Sequence, residues 1–341
     1  VLVMAGPGGV GKTTIAAALG VRAAQVHQRR VVVVTVDPAR RLAEALGMAS
    51  LTEEPVLVPV GEGSGRLWML MVDMAKSWDE LVMRHAPDPR VGERLLANTL
   101  YRTLTREFVQ SHDYIALDHL VSLSDQDRFD LVIVDTPPSG HALDLLDAPG
   151  RMIEFFESRL LRWLTVSAGS GLTAFAAKPF LLVAERLLGT DFLSQITEFF
   201  GLFSRLRSPF VARARLVEER LADDGTEYVV VTTTDGSVVD ACQQLVDELE
   251  RRDLEPGLLI VNRFAPTLRL TDQGTVEPRF GRDDFSELEN RSLRAAVSRL
   301  IDQASTATMP TLRGSRLVAA VPWSSEDLTD LDGLARLLGC R

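Results

Sequence analysis

Apolar residues gather along this chain in short continuous runs rather than in strict alternation. The candidate strands are Val1–Ala5, Val31–Val36, Leu67–Val72, Asp130–Val134, Tyr228–Thr234, Gly257–Val261 and Leu317–Val321. An unbroken Val/Ile/Leu run suits a strand covered on both faces, so these runs predict a parallel sheet between two layers of helices. Helical spacing follows several of them, over Lys12–Val26, Pro38–Leu46, Ser237–Arg252 and Asp327–Leu338. The alternation of strand and helix predicts an α/β fold with a doubly wound, mostly parallel sheet.

Two regions break that rhythm. Residues 75–125 read as helices with no strong strand signal, and residues 150–221 are helical and unusually apolar. Nine of the 14 phenylalanines lie between Phe155 and Phe210, which concentrates the aromatic surface there. Within this region Phe155, Phe156, Leu160, Leu161, Trp163 and Leu164 make one broad apolar face. Phe192, Ile196, Phe199, Phe200 and Phe203 make another. Such faces serve equally as the core of a helical subdomain or as a groove for an apolar helix of a client protein. Ala265–Gly281 reads as a surface loop, with a helix expected over Asp284–Ile301. The organisation predicted is one domain over 1–341, carrying 75–125 and 150–221 as helical insertions.

The chain has 341 residues, with 37 Lys+Arg against 47 Asp+Glu, a net charge of −10. Forty-six per cent hydrophobic and 25% charged residues describe an ordinary globular protein and exclude whole-chain disorder. The acidic balance argues against sequence-blind binding to nucleic acid or anionic lipid. Two cysteines, Cys242 and Cys340, cannot build a disulfide framework or a Cys-rich zinc site, which fits a reducing cytoplasm. No uninterrupted apolar run reaches membrane-spanning length. The sequence opens at Val1, inside an apolar run and without methionine, so the native protein is expected to begin upstream.

The chemistry starts at Gly6-Pro7-Gly8-Gly9-Val10-Gly11-Lys12-Thr13, which matches G-x-x-x-x-G-K-[ST]. An apolar run precedes it and the helix-forming Ile15-Ala16-Ala17-Ala18-Leu19 follows. Glycines let successive N–H groups face one anion, and the helix N-terminus adds positive potential. Gly8, Gly9, Val10 and Gly11 form the cradle. Lys12 is expected on the β- and γ-phosphates, Thr13 on Mg²⁺ and Thr14 near the α-phosphate.

Two acidic residues close strands that should end beside this loop. Asp37 follows Val31–Val36, in Asp37-Pro38-Ala39-Arg40, and Asp135 follows Asp130–Val134, in Asp135-Thr136-Pro137-Pro138-Ser139-Gly140-His141. Ligands of open α/β sheets sit beyond the carboxyl ends of the strands, so both carboxylates should share the crevice with the phosphates. One would hold Mg²⁺, directly or through water, while another group orients the attacking water.

With these segments in hand, the sequence resembles the ArsA-type anion-transporting ATPases and the related guided-entry ATPases that carry tail-anchored membrane proteins. Both belong to the deviant-Walker P-loop class. The motifs carrying the resemblance are Gly8 to Thr14, Asp37-Pro38-Ala39, Asp135 to His141, Val261-Asn262-Arg263 and Val321-Pro322. Order and spacing resemble the family over nearly the whole chain, most of all the paired bacterial ArsA-like paralogues. The resemblance implies ATP/ADP and Mg²⁺ as cofactors, with Asp37 polarising the hydrolytic water, Asp135 near the metal, and Thr13, Asp37 and Asp135 as the metal's residues, partly through water. It also implies Asn262 on the adenine edge and Pro322 packed against the base. A dimer closing around nucleotide is implied as well, either with itself or with an ArsA-like paralogue. An apolar client helix, a cytoplasmic location and only indirect, peripheral membrane contact complete the picture.

The sequence departs from that family in three places. The loop lysine that reaches the partner's nucleotide should stand at position 7, where this chain has Pro7. A missing cation about 4 Å from a phosphate oxygen removes about 4 kcal/mol at an effective dielectric of about 20. The paired zinc cysteines of the guided-entry dimer are missing, and so is any Cys cluster for arsenite. Three readings therefore stand together: a nucleotide-switched ATPase handling an apolar client, the ATPase subunit of an anion or metalloid efflux pump, and a catalytically weak regulatory partner of a lysine-bearing paralogue. Arg40 or Arg41 would supply a cation in cis, or pair with Glu44. His141 is either a structural hydrogen-bonding residue or a coupling residue of the segment that follows Asp135. The group His112, Asp113, Asp118 and His119 has no strong metal-ligand spacing, and Met69, Met71, Met74 and Met83 read as core.

Overall fold

The computed structural model describes residues 1–35, 42, 54–61, 65–107, 112–136, 142–158, 190–254, 256–264, 268–270, 276–278, 318–322 and 331–337. The strands are β1 (Leu2–Ala5), β2 (Arg30–Thr35), β3 (Val56–Val58), β4 (Arg66–Met71), β5 (Leu131–Asp135), β6 (Glu227–Thr232), β7 (Pro256–Phe264), β8 (Leu268–Leu270), β9 (Val276–Pro278) and β10 (Val318–Pro322). Eight of them form one sheet in the order β10-β7-β6-β1-β5-β2-β4-β3. Every ladder is parallel except β3 on β4. The doubly wound α/β architecture is therefore present, with one antiparallel strand closing an edge.

The continuous apolar runs divide by parity between two helical layers. Val32 and Val34 of β2 turn to one face with Val132 and Val134 of β5 and Val230 of β6. Val31 and Val33 turn to the other face with Met4, Ile133 and Val231. On this second face lie α1 (Lys12–Gln25) and, in contact with it, α10 (Leu331–Leu337). The first face carries the remaining helices: α2 (Met74–His85), α3 (Pro89–Ala97), α4 (Thr99–Glu107), α5 (His112–Ser124), α6 (Ala142–Glu157), α7 (Thr190–Ser204), α8 (Arg207–Leu221) and α9 (Gly236–Arg251). Local chemistry sets several of their starts. Asp88 caps α3 by accepting from the N–H groups of Arg90 and Val91, with Pro89 at the first helical position. Asp235 caps α9 in the same way through Ser237 and Val238.

In the two regions outside the βα rhythm every described element is a helix. Residues 75–125 supply α2 to α5, and 150–221 supplies the end of α6 together with α7 and α8. Phe156, Phe199, Phe203 and Phe210 are buried in one stack, with Phe156 and Phe203 rings 4.9 Å apart and Trp78 on Phe210 at 6.2 Å. For these rings the core reading holds, while Phe155 stays 39% exposed. Leu160, Leu161, Trp163 and Leu164 lie outside the described residues. So do the helices expected over 38–46, apart from Leu42, and over 284–301.

One strand carried no expectation, and one expectation changes. Val56–Val58 is a strand, antiparallel to β4. The stretch 265–281, read as loop, contains the two-stranded ladder β8–β9, paired Leu268 to Pro278. Among the described residues no helix is long and apolar enough to cross a membrane.

Candidate nucleotide site

The centre of the sheet places its chemistry at one edge. In register, Met4 of β1 lies beside Asp135 of β5, and Asp135 lies beside Thr35 of β2. Thr232 of β6 lies beside Val261 of β7, so Asn262 emerges one residue further on. Gly6, Asp135 and Asn262 therefore leave the sheet at the same carboxyl end, from three different strands.

The loop from Gly6 to Gly11 is held by features that only glycine accommodates. Gly6 sits at φ +143°, and a Cβ there would come within 2.3 Å of the Val231 carbonyl oxygen. Gly11 sits at φ +93° as the N-cap of α1, and a Cβ there would come within 2.4 Å of the Asn262 amide nitrogen. No side chain caps this helix. Its first N–H groups are thus left for an outside acceptor, where the helix dipole favours negative charge. Lys12, 6% exposed, donates from Nζ to the carbonyl oxygens of Gly6 at 2.9 Å and Pro7 at 3.1 Å. The ammonium thus arches over the loop that precedes it. Thr13 and Thr14 follow on the first turn, while Gly8 and Gly9 are exposed at the loop's crown.

The acidic side of the site is buried. Asp135 is 0% exposed, and its Oδ2 accepts from the Thr35 hydroxyl at 3.2 Å. Thr136, next in the chain, donates to the Met4 carbonyl at 2.7 Å and so ties the end of β5 to β1. Thr35 carried no expectation from its sequence; a lone hydroxyl closing a run of four valines was the available signal. Asp37, Arg40, Arg41 and the segment 137–141 with His141 lie outside the described residues.

Asn262 is 8% exposed and faces the phosphate loop. Its Nδ2 donates to the Val10 carbonyl at 2.7 Å, and its Oδ1 accepts from the Arg263 N–H at 2.9 Å. A register shift between β7 and β10 at this point sets Asn262 and Arg263 against Val321. Arg263 takes φ +54°, a left-handed conformation rare for a non-glycine residue. The bulge and the left-handed residue together aim the carboxamide inward. Pro322 closes β10, paired with Phe264.

The remaining candidates are placed elsewhere. Asp118 is an ion-pair acceptor for Arg213 at 2.5 Å and Arg84 at 3.5 Å, and His119 meets the Ser77 hydroxyl at 2.8 Å. No group among the described residues has metal-ligand geometry. Cys242 is buried, its thiol facing the Val231 carbonyl at 3.5 Å, and burial pushes its pKa up, away from the reactive thiolate. Met69 is fully buried.

The arrangement offers uncapped N–H groups and a lysine for a polyphosphate. It also offers the hard oxygen donors of Thr13 and Asp135, the kind Mg²⁺ prefers. The residues present therefore fit a magnesium nucleotide. Comparison with known proteins points the same way. The family model described as "Anion-transporting ATPase" matches residues 1–277. An "ATPase ASNA1 homolog" of Entamoeba histolytica is 24% identical over 267 residues, covering 76% of this chain and 75% of that protein. "ATPase GET3C" of Arabidopsis thaliana is 26% identical over 286 residues, covering 77% and 66%. The "Arsenical pump-driving ATPase" of Escherichia coli is 32% identical over 163 residues, covering 46% of this chain but only 27% of that much longer protein.

Proposed function

We propose, from the premise that this chain belongs to the anion-transporting ATPase family, that it hydrolyses Mg-ATP and uses the cycle to switch its helical subdomain. One observation carries the reading: the uncapped N-terminus of α1, entered through Gly6 and Gly11 and overhung by Lys12, beside the buried carboxylate of Asp135. In this account Gly8, Gly9, Val10, Gly11, Thr13 and Thr14 bind the phosphates. Lys12 neutralises charge on the β- and γ-phosphates. Thr13, Asp37 and Asp135 would hold the metal, partly through water. Magnesium, when bound, neutralises the phosphate oxygens and aligns them for in-line attack. Asp37 orients and polarises the attacking water, and Asn262 and Pro322 face the adenine. The experiment is calorimetric titration with ATP, with and without Mg²⁺, alongside Lys12→Ala and a phosphate-release assay. Tight Mg-ATP binding that Lys12→Ala abolishes is expected; equal binding by both chains overturns the assignment.

Pro7 favours one form of the assembly. The family lysine at this position acts in trans, so a homodimer of this chain lacks it at both sites. Paired with a lysine-bearing paralogue, this chain's own nucleotide receives the partner's cation, while the partner's nucleotide faces Pro7. The proposed state is accordingly a heterodimer with one competent site, handling an apolar client helix. The efflux-pump reading finds no group of His, Cys, Asp or Glu among the described residues that would hold a metalloid. Turnover measured for this chain, for the paralogue and for the mixture tests the pairing; equal rates for this chain alone and mixed reject it.

A further inference from the structure

Asn262 spends its carboxamide on the phosphate loop itself. Nδ2 donates to the Val10 carbonyl at 2.7 Å and lies 2.4 Å from where a Gly11 Cβ would stand. Oδ1 is occupied by the Arg263 N–H, which fixes which end of the amide faces the loop. The chain adopts an uncommon conformation to achieve this, with a bulge opposite Val321 and Arg263 in the left-handed region. Asn262 and Val10 are 252 residues apart in sequence, so nothing local requires the contact.

In a trans peptide the C=O and N–H lie in one plane and point in opposite directions. Holding the Val10 carbonyl against Asn262 therefore turns the Gly11 N–H the other way, away from β7. A phosphate cradled by the loop would need a donor turned that way. We propose that Asn262 is a positioning residue for phosphate binding: it clamps the Val10–Gly11 peptide so that the Gly11 N–H is presented to the nucleotide's phosphates. This rests on the nucleotide-site reading above and goes beyond contact with the base. Without the clamp the peptide is free to rotate about its flanking bonds, Gly11 being the residue with most freedom to do so. Part of each binding event is then spent on re-ordering the loop.

The test separates phosphate from base. Wild type and Asn262→Ala are titrated with magnesium tripolyphosphate, which has no base, and with adenosine, which has no phosphate. Expected is a loss of about tenfold in tripolyphosphate affinity, the size of one buried hydrogen bond. A matching rise in KM for Mg-ATP should exceed any fall in kcat. Tripolyphosphate affinity equal to wild type, with only adenosine binding weakened, overturns the clamp and leaves a base contact. Wild type binding neither probe nor ATP overturns the site reading and the clamp with it. If Asn262→Ala does not fold, Asn262→Ser takes its place, because it keeps a small polar side chain too short to reach Val10. The same tenfold loss is expected there, and its absence rejects the proposal.

Discussion

The hydroxyl of Thr35 reaches across from the end of β2 to Oδ2 of Asp135, at 3.2 Å and fully buried. The bond joins two adjacent parallel strands whose following segments carry Asp37 and residues 137–141, both outside the described residues. A hydroxyl that orients a buried carboxylate also sets which oxygen is offered to a metal. Thr35→Val keeps the β-branched shape and removes the donor. It should cost about 1–3 kcal/mol of stability, the range for leaving a buried acceptor short of a partner. A urea titration reads this as a lower midpoint with unchanged slope, and the Mg²⁺ dependence of turnover should shift to higher concentration.

Gly6→Ala should be among the most damaging small substitutions in the chain. The added Cβ meets the Val231 carbonyl oxygen at 2.3 Å, and that atom belongs to a central strand that cannot yield. The φ of +143° is also outside the range of an L-residue. A loss on the order of 3 kcal/mol is expected, with ATP affinity falling as the loop lifts from β6. Thermal melting and nucleotide titration of the purified variant check both effects.

How far the sequence alone reached follows from the length of each signal. β1, β2, β5 and the loop between Gly6 and Thr13 were readable because runs of Val and Ile and a glycine-spaced motif are specific over several residues. Val56–Val58 and the β8–β9 pair were missed because three-residue antiparallel strands carry almost no period of their own. The hydrogen bonds Thr35–Asp135 and Asn262–Val10 could not be read, since each joins residues about 100 or 252 positions apart through strand register. Asp118 shows a weak signal read correctly: beside His112, Asp113 and His119 it has no strong metal-ligand spacing, and Arg213 on a distant helix pairs with it instead.

Asp37→Asn should separate binding from hydrolysis. The amide keeps the size of the carboxylate and loses its ability to polarise a water, so turnover should fall by about 10²–10⁴, the range for a general base. ATP affinity should change less than about threefold, because the phosphates are held by Lys12 and the α1 N-terminus. Single-turnover hydrolysis beside equilibrium binding makes the distinction; parallel loss of both would place Asp37 in binding instead.

Pro7→Lys tests the assembly argument. If the trans cation is the missing part, this one change should raise turnover of the chain acting alone by at least about tenfold. A trans cation in phosphoryl transfer supplies about a thousandfold or more when ideally placed. The gain should appear in kcat and should grow with protein concentration, since it requires a second copy. An unchanged rate at every concentration would mean that the chain does not present position 7 to a partner's nucleotide.

The His85 ring packs edge-on to Phe210 at 5.7 Å, and its Nε2 is buried with no hydrogen-bond partner among the described residues. Burial lowers its pKa below the ordinary value, opposed by the Asp118 carboxylate and aided by the Arg84 and Arg213 cations. Arg84 lies on α2 itself, Asp118 on α5 and Arg213 on α8, so the charges acting on the ring come from three helices. The unfolded chain therefore takes up this proton at a higher pH than the folded one. Between the two pKa values the unfolded state holds more protons, and stability must rise with pH there. The stabilisation is complete above about pH 6.5, the unfolded value. It is lost as pH falls through the lowered folded value, below which no further loss accrues from this group. Replacing His85 by Leu removes the titration while keeping the apolar contact with Phe210. Urea unfolding at pH 7.5 and pH 5 should show wild type losing more stability on acidification than His85→Leu. Equal losses would mean that His85 binds its proton with the same affinity in both states, contrary to its burial.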